Sequence, residues 1–486
     1  MNSLDKNKIT RAFFWVGVGS ALSRGANMLS TFVLAAILIP DDFGIVSIAV
    51  MISNVLSLFR DFGVGQALIY QKEHVEESAN TAFLISVGMG IFLYLVGFFL
   101  AEPAAVFFRN PNVEFVVKVL PFTLVISSFS SIPLSLLEKE LDFRMRILPD
   151  IASSLAYLAI TVVLAARGLG FWSIIFGDLA GSIVLLIVIF MISSWHPKMK
   201  LNIARLKKLV GFGKYMMTST IIIFIYRNID DFIIGRMLGM KQLGFYGLAY
   251  RIGNLPTNHI TQIISKVLYP AFMNVRDDWE RLVAYYYRSF RYLCFITFPV
   301  AFGILVFAPD FFHLLYGEKW NEAILPTQIL AVFGLIRSLF SMTSYLFIAA
   351  GRVREIIYFP LGQVVLFCVF FYPVITRWGI VGICSLLTLL NAANAIAQMA
   401  LIERFCPGVT KIKSSIMFSF LMLSTFAIVF PTQIYSLLGG ALSLWLFIAA
   451  IAIVGGVYVL FVRWREPEMI GELSKLFREQ FRRSPQ

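Results

Sequence analysis

Apolar residues dominate this chain in long runs, and polar residues gather in the short segments between those runs. Runs of roughly 18 or more mostly apolar residues recur along the whole chain, which is typical of helices that cross a membrane. The short alternating segments of a transmembrane β-barrel are absent from the sequence. The pattern therefore predicts an all-α polytopic membrane protein with about 14 transmembrane helices.

Windows of about 20 residues set the limits of the predicted spans. The spans are 12–39, 43–68, 79–101, 113–136, 147–167, 170–194, 209–238, 244–271, 286–308, 322–349, 356–376, 379–401, 413–433 and 437–463. Several of these runs exceed the length of one crossing, so tilted or kinked helices are expected.

Lys and Arg residues are distributed unevenly between the two sets of loops. With the N-terminus inside, the inner loops and termini hold about 28 of these residues and the outer loops about six. This bias predicts that both termini are cytoplasmic and that the number of spans is even. It also accounts for most of the formal net charge of +13, which therefore indicates topology and not nucleic-acid binding.

The composition excludes an ordinary soluble protein and offers no catalytic constellation. Of the 486 residues, 59% are hydrophobic and 14% charged, and the mean hydropathy is +0.80. The four cysteines and four histidines are scattered without metal-ligand spacing, and no GxxxxGK[ST] motif is present. No paired acids or nucleophile–base pair fall in one predicted pocket. The sequence therefore predicts a protein that is not an enzyme and that has no catalytic residue, metal or cofactor.

Two stretches of the chain align without a gap. Residues 27–55 match residues 227–255, with Phe32 opposite Phe232 and Gly44 opposite Gly244. Each copy reads as helix, short outer turn with glycine, helix. Because six spans separate the copies, both share one orientation, which predicts two six-helix bundles in a parallel pseudo-two-fold repeat, plus two extra helices.

The predicted organisation follows from this repeat. An N-terminal six-helix bundle and a C-terminal six-helix bundle are followed by helices 13 and 14 and a basic, amphipathic cytoplasmic tail. The four predicted segments are 1–200, 201–405, 406–463 and 464–486.

Four segments carry a resemblance to a known family: "LIPDDFGIVSIAV", "FRDFGVGQALIY", "LEKELDFRMRI" and "MLGMKQLGFYGLAYRI". They resemble the polysaccharide-exporter branch of the multidrug/oligosaccharidyl-lipid/polysaccharide superfamily, and the exporters of colanic-acid and teichuronic-acid type in particular. The resemblance is strongest over 8–150 and 205–360. It implies a multi-pass flippase of the bacterial inner membrane that moves undecaprenyl-diphosphate-linked oligosaccharide units by alternating access. It also implies membrane lipids, a polysaccharide polymerase and a chain-length protein as partners.

Ionisable residues inside predicted spans are candidates for function, because removing a charge from water is unfavourable. Cations prevail among them, and a guanidinium can bind phosphate oxygens in a bidentate way. The residues predicted to bind the substrate diphosphate are Arg24, Arg227, Arg251 and Arg337. Those predicted to contact sugars in a polar cavity are Asn27, Tyr226, Asn228, Tyr250 and Asn254. Asp178, Asp230 and Asp231 are the candidates for gating or ion coupling, with H⁺ and Na⁺ both open as the coupling ion.

Alternatives remain at the level of residues and of function. Arg227 can simply pair with Asp230 or Asp231 one turn away, and the side chain of Arg251 can extend to the interface. A cation-coupled multidrug antiporter of the same fold would favour carboxylates in the cavity, which the excess of cations argues against. A polysaccharide polymerase or ligase would need a large periplasmic loop, and every predicted outer loop is short.

Overall fold

The computed structural model describes residues 3–60, 68, 75–139, 143–198, 228–261, 272–273, 278–405, 416–417, 419–422, 424–425, 452, 455–460 and 462–464. All regular elements within these ranges are helices. The chain divides into two compact units, 1–247 and 248–486, which are described in turn.

The described part of the first unit consists of helices. These are α1 (Ser3–Ile37), α2 (Pro40–Arg60), α3 (Val75–Phe108), α4 (Asn112–Val119), α5 (Phe122–Lys139), α6 (Phe143–Ala166), α7 (Trp172–Ile192), α8 (228–237) and the first turns of α9 (Met240–Gly253).

Small residues bring these helices together. A Cβ placed on Gly90 of α3 would lie 2.7 Å from the hydroxyl oxygen of Ser128 in α5, and one on Gly181 of α7 would lie 3.1 Å from the carbonyl oxygen of Ser153 in α6. Lipid removes the hydrophobic drive for helix association, so close backbone approach and van der Waals contact must supply the attraction.

The N-terminal end of α2 is tied to the turn between α6 and α7 by Asp42. Its carboxylate accepts hydrogen bonds from the backbone N–H groups of Ile39, at 3.3 Å, and Phe171, at 3.1 Å. A carboxylate at a helix N-terminus satisfies unpaired N–H donors and complements the helix dipole. One residue therefore fixes the position of two turns.

The second unit contains the rest of α9 and the following elements: a π-helix (Pro256–Thr261), α10 (Trp279–Leu315), a 3₁₀ turn (Glu318–Ala323), α11 (Ile324–Ser341), α12 (Thr343–Ala349) and α13 (Val353–Phe405). Its core is rich in aromatic residues of α10 and α11, including Tyr286, Phe290 and Phe340. Tyr458 donates a hydrogen bond to the carbonyl of Phe295 at 2.9 Å, so residues 455–460 pack on α10.

The 53-residue α13 is two helices and not one. Gly379 has φ 55° and ψ −138°, which no helix contains. The amide of Asn394 donates to the side-chain carbonyl of Gln363 at 3.1 Å, which places the two legs side by side in antiparallel order. The predicted spans 356–376 and 379–401 correspond to these legs.

Eight described segments are long and apolar enough to cross a membrane: Pro40–Arg60, Val75–Phe108, Asn112–Lys139, Met145–Ala166, Trp172–Ile192, Trp279–Leu315, Glu318–Ala349 and Tyr358–Arg404. A shorter apolar helix covers Leu22–Ile37. The prediction of a polytopic helical membrane protein is confirmed. The count of about 14 stays a prediction, because much of spans 7, 8, 13 and 14 lies outside the described residues.

Candidate substrate-binding site

Arg337 of α11, one of the predicted diphosphate ligands, lies beside Tyr250 of α9. Its guanidinium donates a hydrogen bond to the Tyr250 hydroxyl at 2.7 Å and lies 5.7 Å from the centre of the Phe333 ring. The Tyr250 and Phe333 rings are 6.1 Å apart. Arg337, Tyr250 and Phe333 therefore form one cluster, which we call the arginine–aromatic cluster.

The arginine–aromatic cluster lies between α9 and α11, whose backbones are in close contact. A Cβ on Gly253 would lie 2.7 Å from the backbone of Leu330, and one on Gly334 would lie 3.2 Å from the backbone of Gly253. Thr257, in the π-helix that follows α9, donates to the carbonyl of Gly334 at 2.9 Å. These contacts bring the backbones of α9 and α11 close together, which places Arg337 within hydrogen-bonding distance of Tyr250.

Asn254 lies one turn after Tyr250 and is fully buried. Its amide nitrogen donates to the Tyr250 carbonyl at 3.2 Å, and its side-chain oxygen accepts no hydrogen bond from the described residues. Buried polar atoms are nearly always hydrogen-bonded, so an unmet acceptor in a membrane protein indicates a place for water or ligand. Tyr250 and Asn254, both predicted to contact sugars, therefore lie side by side on one face of this segment, and their predicted role stays a prediction.

Asp230 of α8 lies in a buried environment. It is 5% exposed, and the hydroxyl of Tyr246, itself 1% exposed, donates to its carboxylate. α8 carries Asp230 and the next helix carries Tyr246, so the pair ties the two arms of the turn at residues 238–239 together. Asp231 and Asn228, on the same helix, are half-buried.

The remaining predicted residues are not gathered with the arginine–aromatic cluster. Arg24 and Asp178 are half-buried in α1 and α7, and Asn27 is exposed. The carboxylate of Asp178 makes no ion pair or hydrogen bond within the described ranges. Arg251 is exposed at the C-terminal end of α9. Tyr226 and Arg227 lie outside the described residues.

Sequence reasoning missed Phe333 and the π-helix. Phe333 precedes Arg337 by one helical turn, so the i, i+4 spacing was a readable signal of the cation–π contact. Pro256 was a readable signal of irregular helix, since proline removes a backbone donor. Neither feature predicted that α9 and α11 would be neighbours. A guanidinium carries five N–H donors in one plane, so the arginine–aromatic cluster has the chemistry to hold an anion beside an apolar ring.

The sequence matches a model of a known family. Residues 33–325 match the family described as "Polysaccharide biosynthesis protein". The chain belongs to this polysaccharide biosynthesis protein family. The match extends from the first predicted half of the chain into the second, and the resemblance to the polysaccharide-exporter branch of the superfamily is confirmed.

One curated relative and two solved structures are also similar to this chain. The lipopolysaccharide biosynthesis protein WzxC of Escherichia coli is 27% identical over 70% of this chain and 69% of its own length. An inward closed structure of the lipid II flippase MurJ, 16% identical, covers 93% of this chain and 99% of its own, with a TM-score of 0.72. An inward-facing multidrug resistance transporter of the MATE family, 18% identical, covers 81% and 95%, with a TM-score of 0.62. At these identities, the two similarities to solved structures concern the fold alone.

Proposed function

We propose that this protein is a flippase that moves lipid-linked oligosaccharides across the bacterial inner membrane for surface polysaccharide biosynthesis. The family match over residues 33–325 carries the proposal. That match assigns the chain to polysaccharide biosynthesis, and its fold is that of membrane transporters. A transporter in such a pathway must move the lipid-linked glycan from the side where it is assembled to the side where it is polymerised.

The substrate in this proposal is an undecaprenyl diphosphate that carries one oligosaccharide unit, and transport proceeds by alternating access with both termini in the cytoplasm. The excess of Lys and Arg in the inner loops supports the orientation. Two six-helix bundles would rock about a shared cavity, with the lipid tail remaining in the bilayer. The polymerase and chain-length proteins of the same pathway would act on the released product.

Arg337 is the best-defined candidate for binding the diphosphate. The tight α9–α11 pair holds its guanidinium, and Phe333 and Tyr250 define its position. A charge-assisted hydrogen bond to a phosphate oxygen is about twice as strong as a neutral one. Arg24, Arg227 and Arg251 complete the proposed set, with Asn27, Tyr226, Asn228, Tyr250 and Asn254 for the sugars.

Asp178, Asp230 and Asp231 are proposed to gate the transporter or to couple it to an ion. A transporter without a nucleotide-binding motif needs the membrane potential or an ion gradient for directed transport. The buried Asp230–Tyr246 pair links α8 to α9, so any gating movement that separates these two helices would have to break this hydrogen bond.

Reconstitution tests the proposal. A fluorescent undecaprenyl-diphosphate oligosaccharide is added to liposomes that contain the purified protein. A membrane-impermeant quencher then measures how much of it reaches the opposite leaflet. We expect flipping well above that in empty liposomes and little transport of cationic drugs along an imposed H⁺ or Na⁺ gradient. A folded protein that transports the drugs and leaves the glycan lipid where it was added would exclude the proposal in favour of the multidrug antiporter.

A further inference from the structure

Two exposed phenylalanines stack between α3 and α8, one at the C-terminal end of α3 and the other in the middle of α8. The rings of Phe107 and Phe232 have centroids 5.0 Å apart and an interplanar angle of 27°. They are 39% and 43% exposed, whereas the adjacent Phe108, 5.7 Å from Phe232, is buried. Phe108 therefore anchors the pair to the helices, and the other two rings present an apolar surface.

An arginine lies against this surface. The guanidinium of Arg236, one turn after Phe232 on α8, is 5.0 Å from the centre of the Phe107 ring. A cation–π contact of this kind contributes roughly 0.5–2 kcal/mol, depending on how far the cation is removed from water. It holds the guanidinium in place without neutralising its charge.

A second arginine follows immediately. Arg109 comes two residues after Phe107, is exposed, and adopts φ 56°, a left-handed conformation that few residues other than glycine adopt. Within the described ranges, neither Arg109 nor Arg236 makes an ion pair or a side-chain hydrogen bond. Glu114, the next carboxylate along the chain, pairs with Lys118 at 2.6 Å, and the preceding one, Glu102, is exposed five residues before Phe107.

The predicted topology places this surface on the outer side of the membrane. α3 begins at the inner side and ends in the outer turn that contains Arg109, and α8 ends in the outer turn before α9. Phe107 follows the predicted span 79–101, and Phe232 lies six residues before the outer end of the predicted span 209–238, so the stacked rings lie near the outer interface. Two cations, one in contact with the stacked rings and the other two residues after Phe107, thus occur at the depth at which a lipid headgroup would leave the protein on the outer side.

We propose that Phe107, Phe232, Arg236 and Arg109 form an exit-side binding site for the diphosphate and first isoprene units of the prenyl-diphosphate lipid. The inference rests on the proposed flippase function. The ligand is inferred from the two types of side chain in the site, which are cationic and aromatic. The diphosphate accepts hydrogen bonds from the two guanidinium groups, and the apolar chain next to it packs on the exposed rings. A phospholipid headgroup shares the phosphate but lacks the diphosphate and the branched prenyl chain.

A sided protection assay tests the site directly. Val106, 73% exposed and adjacent to Phe107, is replaced by cysteine in the full chain. The protein is reconstituted in phosphatidylcholine vesicles with its predicted outer side facing outward, and it is labelled with a membrane-impermeant maleimide. Labelling of the parent chain, which lacks the new cysteine, is subtracted as background. Farnesyl diphosphate, added outside, should slow the labelling. Arg236→Gln or Arg109→Gln should raise the concentration needed for half protection about tenfold, as expected on loss of a charge-assisted hydrogen bond.

Matched variants separate the possible outcomes. Arg167→Gln removes an exposed arginine of a different predicted outer turn and should leave protection unchanged. Phe232→Leu should weaken protection by farnesyl diphosphate more than protection by inorganic pyrophosphate. Equal protection in all variants would overturn the site, as would a Val106→Cys protein that is not labelled from outside. Equal protection by phosphatidylglycerol would make it a phospholipid site instead.

The assay is independent of transport. If the wild-type protein flips the glycan lipid but the protection pattern fails, the flippase function stands and the exit site is wrong. If the protection pattern holds in a protein that does not flip, the site stands and the flippase function is wrong.

Discussion

Gly44 and Gly244 make equivalent contacts: Gly44 of α2 packs on the first residue of α9, and Gly244 of α9 packs on the first residue of α2. A Cβ on Gly44 would lie 2.6 Å from the carbonyl carbon of Met240, and one on Gly244 would lie 2.6 Å from the carbonyl carbon of Pro40. Pro40 and Met240 are the first residues of α2 and α9. A two-fold axis requires this reciprocity, since it converts each contact into the other, and the gap-free match of 27–55 with 227–255 predicts such an axis.

Replacing either glycine with alanine should therefore have the same effect. Gly44→Ala and Gly244→Ala each place a methyl group against backbone atoms that cannot rotate away, which should destabilise the protein by about 1–3 kcal/mol. The midpoint of thermal unfolding in detergent measures this change. Gly25→Ala is the control, because a Cβ at Gly25 would meet no heavy atom within 4 Å. A loss of stability in only one of the two variants would contradict the reciprocal contact.

The Asp230–Tyr246 pair should be strongly coupled. Tyr246→Phe removes the donor to a buried carboxylate and should lower stability by about 1–3 kcal/mol. In Asp230→Asn the amide oxygen can still accept from the hydroxyl, so we expect a smaller effect. Tyr372→Phe, in an exposed side chain, serves as the control. If Tyr246→Phe unfolds at the same temperature as the wild type, the hydrogen bond has no role in stability.

Arg337 should affect transport more than folding. Arg337→Gln keeps a donor for the Tyr250 hydroxyl but removes the positive charge, so flipping should fall about tenfold or more while the unfolding midpoint changes little. Flipping in liposomes and thermal unfolding of the same preparation measure the two effects. Arg377→Gln, at an exposed arginine, is the matched control. Equal flipping by the two variants would remove Arg337 from the proposed diphosphate site.

The two legs of α13 should be coupled through their amides. Gln363→Leu and Asn394→Leu each break the hydrogen bond between the legs, and Gln398, which donates to Asn394 at 3.1 Å, extends the same network. A double-mutant cycle on unfolding should give a coupling of about 0.5–1.5 kcal/mol, the range found for hydrogen bonds between helices in membranes. Strictly additive single effects would indicate that the legs do not interact through these side chains.

The sequence identified several residues of the candidate site by their chemical type and spacing. The pairing of Tyr250 and Asn254 follows from their spacing of one helical turn, and Arg337 is conspicuous as a charge in an apolar run. The arginine–aromatic cluster was not predictable, because α9 and α11 are separated by α10 and sequence spacing says nothing about contacts between helices. Arg227, the predicted partner of Asp230, lies outside the described residues, and the hydrogen bond from Tyr246 crosses a turn whose geometry the residue pattern does not specify.

The sequence by itself determined the class of protein and the approximate limits of the spans that the structure describes, and it predicts the orientation. The bilayer itself is the reason. Backbone polar groups must form their hydrogen bonds within the helix, about 20 apolar residues are needed to cross the hydrocarbon core, and Lys and Arg are enriched in the cytoplasmic loops. The tertiary structure decided which charges meet which partners. It placed Arg337 on Tyr250 and Phe333, Arg236 on Phe107, and Gly44 against Met240. Those contacts depend on how helices pack, which in lipid is set by shape and close approach and not by the hydrophobic pattern that a sequence displays.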